Sequence, residues 1–282
     1  MRVVAFCARR PRCAVSRALL GRSPRLSRPS GASSRIVLRI GIVIGAVLGY
    51  FGVRGLTDSS QVTALHDAAR VEAAERGLHL DWEPTVQSLV VNDQAITRIL
   101  NWIYIFGHWP VIALTLIWLL SRHPELYVRA ACAMLLSGAV GLVAFAVFPV
   151  APPRLAALGM TDTVTEQSHA YRVLQPPAFT NQYAAMPSLH VGWNLLMTLA
   201  ILAATRTIWL RVLAVALTVS MDATVVLTAN HYVLDAFAGA VLAQLSWYVA
   251  GRLQALATRR HRPTEQDQDE LSPPVLVPLR RG

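Results

Sequence analysis

Two histidines and one carboxylate in this chain have the types and spacing to do chemistry together. His231 and Asp235 lie four residues apart, which on a helix places them on one face. A carboxylate there can orient the imidazole, fix its tautomer through one ring nitrogen and leave the other free to attack or to shuttle a proton. His190 ends the run Met186-Pro187-Ser188-Leu189-His190, in which Pro and Ser start a helix cleanly. Exposed amides at a helix start, beside Ser188, attract anions. A histidine placed there can protonate a leaving oxygen. Arg154 follows a Pro-rich turn and supplies a fixed cation. Each feature also has a bland reading: an i,i+4 His/Asp pair can satisfy itself inside a bundle, and Pro-Ser before a helix is ordinary capping.

The elements that must position these residues are apolar runs. Spanning a bilayer by helix takes about 20 mostly apolar residues, and six runs qualify, at roughly 36–53, 99–120, 130–150, 188–205, 208–228 and 232–252. The expected fold is all-α, a six-helix transmembrane bundle over residues 36–255. It is flanked by an Arg-rich, disordered cytoplasmic tail at 1–35 and a disordered cytoplasmic tail at 256–282. The last three spans have short connections and are expected to be antiparallel neighbours. Between the runs, residues 57–98 are polar with a helical spacing over Ala64 to Leu80, and 151–187 form a second long outer segment. On this layout Arg154, His190, His231 and Asp235 all fall at outer ends of spans. Ionisable groups at membrane depth are costly and concentrate at functional sites, so their convergence favours the chemical reading over the bland ones.

Charge sets the orientation. All 26 basic residues are Arg, and ten of them crowd the first forty residues. The net charge of +10 would suggest nucleic acid in a soluble protein, but this clustering reads as topology, and no nucleic-acid partner is expected. With the N-terminus inside, twenty arginines fall on the cytoplasmic side and six (Arg54, Arg70, Arg76, Arg98, Arg154, Arg172) outside, as the positive-inside rule requires. The first run then acts as an uncleaved signal-anchor, since no small-residue cleavage site follows it. The chain is 54% hydrophobic and 15% charged, which excludes an ordinary soluble domain. Cys7, Cys13 and Cys132 have no metal or disulfide spacing.

Weaker candidates surround the main group. Asp222 falls near the outer end of the fifth run, an intramembrane carboxylate that can hold Arg154, contact a polar headgroup, or bond to Thr224 or Asn230. Tyr104 and His108 are i and i+4 in the second run and can line the same cavity. Arg172, Asn181, Gln182 and Tyr183 can reach a substrate from the outer loop, although no spacing demands it.

Ala184 to Trp193 (AAMPSLHVGW) together with Asn230 to Gly239 (NHYVLDAFAG), at this separation and between these runs, resembles the type 2 phosphatidic acid phosphatase superfamily. The branch it is most similar to includes fungal inositol phosphorylceramide synthase. The resemblance covers roughly residues 36–255 and rests on the motif pair in its context. It implies that His231 is the nucleophile that takes a phosphoryl group, Asp235 its orienting partner, and His190 the acid that protonates the leaving group. The implied substrate is a lipid or polyprenyl phosphate at the outer face of the plasma membrane. No metal and no cofactor are implied, since arginines and helix-start amides can neutralise the phosphate. Three departures from the phosphatase pattern point to the synthase-like branch: Leu189 where phosphatases carry Gly, Thr224 and Val225 where they carry Ser-Arg, and Phe148 to Arg154 in place of the first motif. Arg154 is thereby the main phosphate clamp, and transfer of a phospho-polyol headgroup competes with hydrolysis.

Two other classes fit fewer features. Two His and one carboxylate can form a metal triad, which would make a metal-dependent membrane hydrolase sensitive to chelators. A transporter or noncatalytic scaffold would account for the spans alone, but the paired helix interruptions expected of a transporter are absent from the pattern.

Overall fold

The computed structural model describes residues 60–156, 158–167 and 181–260, with a few residues between 40 and 52. The chain divides at residue 42. Of the first unit only Ile40 and Gly41 are described, both helical, and all that follows concerns the second. The first expected span, the N-terminal tail, Arg172 and the C-terminal tail beyond Arg260 lie largely or wholly outside the described residues.

The described elements are helical: α1 Gln61–Leu78, α2 Glu83–Ser88, α3 Gln94–Phe106, α4 Trp109–Arg122, α5 Pro124–Val147, a 3₁₀ turn Pro153–Leu155, α6 Thr163–Gln167, α7 Leu189–Ala204, α8 Ile208–Leu227 and α9 Val233–Arg260. Three of them, α5, α8 and α9, are long and apolar enough to cross a membrane, and α3 with α4 make a fourth if a bent pair counts as one span. This is fewer than the six runs read from the sequence. The run at 99–120 is broken by a 41° bend, and α7 is an apolar helix of 16 residues, just below the length that spans a bilayer without help. At the other extreme α9 continues past the expected end at 252 to Arg260, five residues into the stretch expected to be a disordered tail.

The bend has a local cause. Gly107 lies so close to the Ile103 carbonyl that a Cβ would collide with it, and the Met221 side chain would be tightly packed against that carbon. Pro110 then lacks the amide that would continue the ladder. His108 sits at the break and is buried.

Helix α7 is the hub. It packs against α4, α5, α8 and α9, and residues all round it are buried, among them Val191, Trp193, Leu196, Met197 and Ala200, as expected of a helix apolar on every side. The last three helices are joined by short turns at 205–207 and 228–232, but α8 and α9 hardly touch, because α7 lies between them. Small residues permit the close approach. A Cβ on Gly239 would overlap the Ser188 carbonyl, and one on Gly192 would come 2.9 Å from the Gly239 carbonyl. On the opposite side Trp193 lies over Gly138 and donates its indole N–H to Ser137 Oγ at 3.1 Å.

The helix expected over 64–80 is α1. Its buried face carries Ala64, Asp67, Ala68, Val71 and Glu75, and packs with Val150, Ala151, Ala185 and Tyr232.

Candidate active site

His231 lies in the turn between α8 and α9. That turn is tight: Ala229 adopts a left-handed conformation at φ 55°, and the amides of Asn230 and His231 both donate to the Val225 carbonyl. The imidazole is buried, and its Nδ1 lies 2.8 Å from the Ala185 carbonyl and 3.5 Å from Asp235 Oδ2. A carbonyl can only accept, so Nδ1 carries the proton and the lone pair of the neutral ring is on Nε2. The spacing of His231 and Asp235 led to the expectation that the carboxylate fixes this tautomer. The shorter bond instead comes from the backbone of residue 185, with Asp235 behind it.

Asp235 is fully buried. Its Oδ2 accepts from the Tyr232 amide at 3.0 Å, and its backbone carbonyl accepts from the Ser188 amide at 3.0 Å. Ser188 is the N-cap of α7 and accepts from the Val191 amide. One residue thus ties the start of α7 to the start of α9 and brings the two sequence motifs together.

His190 projects from the first turn of α7. Its ring centroid is 5.9 Å from that of His231, 4.7 Å from Tyr104 with near-parallel planes, and 4.4 Å from His108. Tyr104 and His108 therefore do reach the same group, although the bend falls between Tyr104 on α3 and His108. Asn194 links the cluster: its amide nitrogen donates to the His190 carbonyl at 2.9 Å and lies 3.0 Å from His108 Nδ1. Because the first acceptor fixes the amide orientation, the second contact makes His108 Nδ1 an acceptor.

Arg154 is held on three sides. Its amide donates to the Ala229 carbonyl at 3.0 Å, its Nε donates to Asn230 Oδ1 at 3.1 Å, and Asp162 lies 3.5 Å from the same nitrogen. Asn230 can face this way because its amide nitrogen is engaged by Thr228. The segment carrying Arg154 is pinned in turn, with Val150 bridging to Ala184 and the Ala151 amide donating to the Ala64 carbonyl. Among the described residues, the buried Arg154 Nη1 has no hydrogen-bond partner.

Asp222 does not join this group. Its carboxylate makes no hydrogen bond or ion pair with Arg154, Thr224 or Asn230, and its buried Oδ1 has no partner among the described residues; Asp162 and Asn230 hold the arginine instead. Nothing in the sequence marks Asp162, and the partner expected for Asn230 is Asp222, whereas the structure pairs Asn230 with Arg154. Thr224 and Val225 are fully buried and structural. The Thr224 carbonyl accepts from both the amide and the hydroxyl of Thr228, and the Val225 carbonyl carries the turn of His231. Among the described residues, no group of three or more His, Cys, Asp or Glu is arranged to hold a metal ion.

These are two helix-start motifs joined at their amides, with two imidazoles and a guanidinium at the junction. The family described as the PAP2 superfamily matches residues 69–249, a stretch that contains every one of these groups. The chain belongs to the PAP2 superfamily. No curated protein and no solved structure matches it.

Proposed function

We propose that this protein is a membrane enzyme that transfers or hydrolyses the phosphoryl group of a lipid or polyprenyl phosphate through a phosphohistidine. The observation that carries this reading is the Nδ1 contact of His231 with the Ala185 carbonyl, which leaves Nε2 as the nucleophile. Nε2 attacks phosphorus, the bond from phosphorus to the leaving oxygen breaks, and His190 gives its proton to that oxygen. His190 then takes a proton from water or an alcohol, which attacks phosphorus and breaks the P–N bond. Arg154 and the amides at the start of α7 stabilise the phosphoryl oxygens, while Asp235 stabilises the imidazolium as charge develops on His231. Tyr104 and His108 line the cavity behind His190, and Asp222 is left as a headgroup contact.

Transfer of a phospho-polyol headgroup, in the manner of the inositol phosphorylceramide synthase branch, is the narrower reading. It is favoured by Val225, a buried residue where phosphatases carry an arginine, so that Arg154 is the cation left to hold the phosphate. For topology we propose six crossings of the plasma membrane, with α7 and the run at 36–53 completing the set, both termini cytoplasmic and the site outside.

The test is phosphate release by purified protein from a panel of lipid and polyprenyl phosphates with EDTA present, beside His231→Ala. The variant is expected to lose roughly 10³-fold or more of the rate, and acid-labile phosphate should be trapped on the wild type alone. A fully active His231→Ala protein would remove the mechanism. Absence of release should be followed by the same panel with inositol lipids and alcohol acceptors, and loss of activity in EDTA alone would favour a metal-dependent hydrolase.

A further inference from the structure

Helix α9 begins two residues after His231, and its first amides have unusual partners. The Tyr232 amide donates to Asp235 Oδ2, the half of a capping box in which the third helical residue reaches back to the cap. Tyr232 at the cap position has no short acceptor to return to the helix, so the next two amides need acceptors from elsewhere. They find them far away in sequence. Val233 donates to Glu83 Oε1 at 2.9 Å and Leu234 to Glu75 Oε1 at 2.8 Å. Glu75 and Glu83 are almost completely buried, at 1% and 2% exposure. Carboxyls of that depth need a specific partner to be retained.

We infer that Glu75 and Glu83 are positioning residues for His231: the outer helices α1 and α2 clamp the first turn of α9 and so hold the imidazole against the Ala185 carbonyl. The clamp bears on catalysis through the proposed role of His231 as nucleophile, but it exists independently of that role. Its consequence for pH follows from the groups facing Glu75. Glu83 comes from α2, Asp235 from α9 and Tyr232 from the turn before α9, with Glu72 of α1 acting on Tyr232. The arginines of α1 look elsewhere, Arg76 to Glu72 and Arg70 to Asp67. Burial first, then the charges of Glu83 and Asp235, pushes the Glu75 carboxyl up to about 8 against the pull of the Leu234 amide. The neighbouring Glu83 carboxyl therefore favours the protonated form of Glu75. A folded-state value above the ordinary one means that the proton is bound more tightly in the folded protein. The stabilisation is therefore complete at low pH and is lost as pH rises toward 8.

Hydrogen exchange of the full-length protein in detergent reads the clamp without any substrate. After division by the intrinsic rate, protection of the amides in 230–236 is expected to fall about tenfold between about pH 6 and pH 9 and to level off above that. Glu75→Gln keeps an acceptor for Leu234 but cannot titrate, and its protection should stay flat across the range. Glu75→Ala with Glu83→Ala should lose protection at every pH, and its kcat should drop about tenfold or more with KM little changed, because a displaced catalytic group costs rate rather than binding. Protection unchanged in the double variant, or a wild-type decline retained in Glu75→Gln, overturns the clamp. If the wild type turns over no lipid phosphate while the exchange behaves as described, the functional reading fails and the clamp stands.

Discussion

In the proposed mechanism the reactive nitrogen of His231 is selected by the Ala185 carbonyl, and the phosphate clamp, Arg154, is aimed by the Asn230 side-chain amide. Arg154 is bonded through Nε to Asn230, one residue before His231, so nucleophile and cation are placed by the same turn. The buried Nη1 has no partner among the described residues. A lysine there keeps the charge but has neither the fork nor the Nε–H that Asn230 holds. Arg154→Lys is therefore expected to raise KM for a phosphate substrate about tenfold, equivalent to about 1.4 kcal/mol, with a smaller change in kcat; Michaelis kinetics on the most active substrate of the panel would measure it. An unchanged KM would mean that Arg154 does not touch the phosphate. The residues proposed to carry chemistry stand out in the sequence because ionisable side chains are rare in and beside apolar runs. Their partners were less so. The Ala185 carbonyl has no side chain to mark it, Asp162 lies in a polar loop where any acid looks ordinary, and Asp222 drew attention as an isolated carboxylate that turns out to bind none of the others.

Among the elements, the contact between α7 and α9 does most to assemble the site, and glycine makes it possible. At Gly239 a methyl group would overlap the backbone of Ser188, and backbone cannot rotate aside as a flexible side chain can. Gly239→Ala should push the start of α7 off α9, breaking the Ser188–Asp235 bond and separating His190 from His231. The expected cost is about 1–3 kcal/mol, seen as a lowered thermal midpoint in detergent together with loss of most of the activity. Gly77→Ala is the matched control, since nothing lies within 4 Å of the added carbon, and it should change neither. Equal effects from the two substitutions would refute the close-packing account. Hydropathy found these helices but misjudged their arrangement. It cannot see that α7 inserts between α8 and α9, nor that a Gly-His break turns one apolar run into two helices. The polar helix α1 was legible by spacing, whereas the use of its Glu75 depends on an amide 159 residues away.

For the whole molecule, the chain direction separates chemistry from charge. The Arg154 segment follows the end of α5, His190 opens α7, and His231 stands between the end of α8 and the start of α9, so all three lie at one end of the bundle. The opposite end carries the arginines: Arg122 closes α4, Arg206 and Arg211 flank the α7–α8 turn, and Arg252 and Arg259 lie in the last turns of α9. Arg129 near the start of α5 reaches across to the Trp247 carbonyl at 3.1 Å and covers its ring, which joins those two ends physically. With a bilayer around the apolar middle, the positive-inside rule becomes a statement about the site, and the topology we propose puts His231 on the extracytoplasmic face. The expectation is direct to test. In a background with Cys7, Cys13 and Cys132 replaced by Ala, Ser88→Cys lies exposed on the side of the site and Thr207→Cys lies exposed in the Arg-flanked turn. A membrane-impermeant maleimide added to intact cells, with any outer wall layer opened, should label Ser88→Cys. It should label Thr207→Cys only after the membrane is permeabilised. The reverse pattern would put the site in the cytoplasm, where a phosphate donor would have to be delivered from the inner leaflet, and labelling of both in intact cells would mean that the bundle does not separate the two ends.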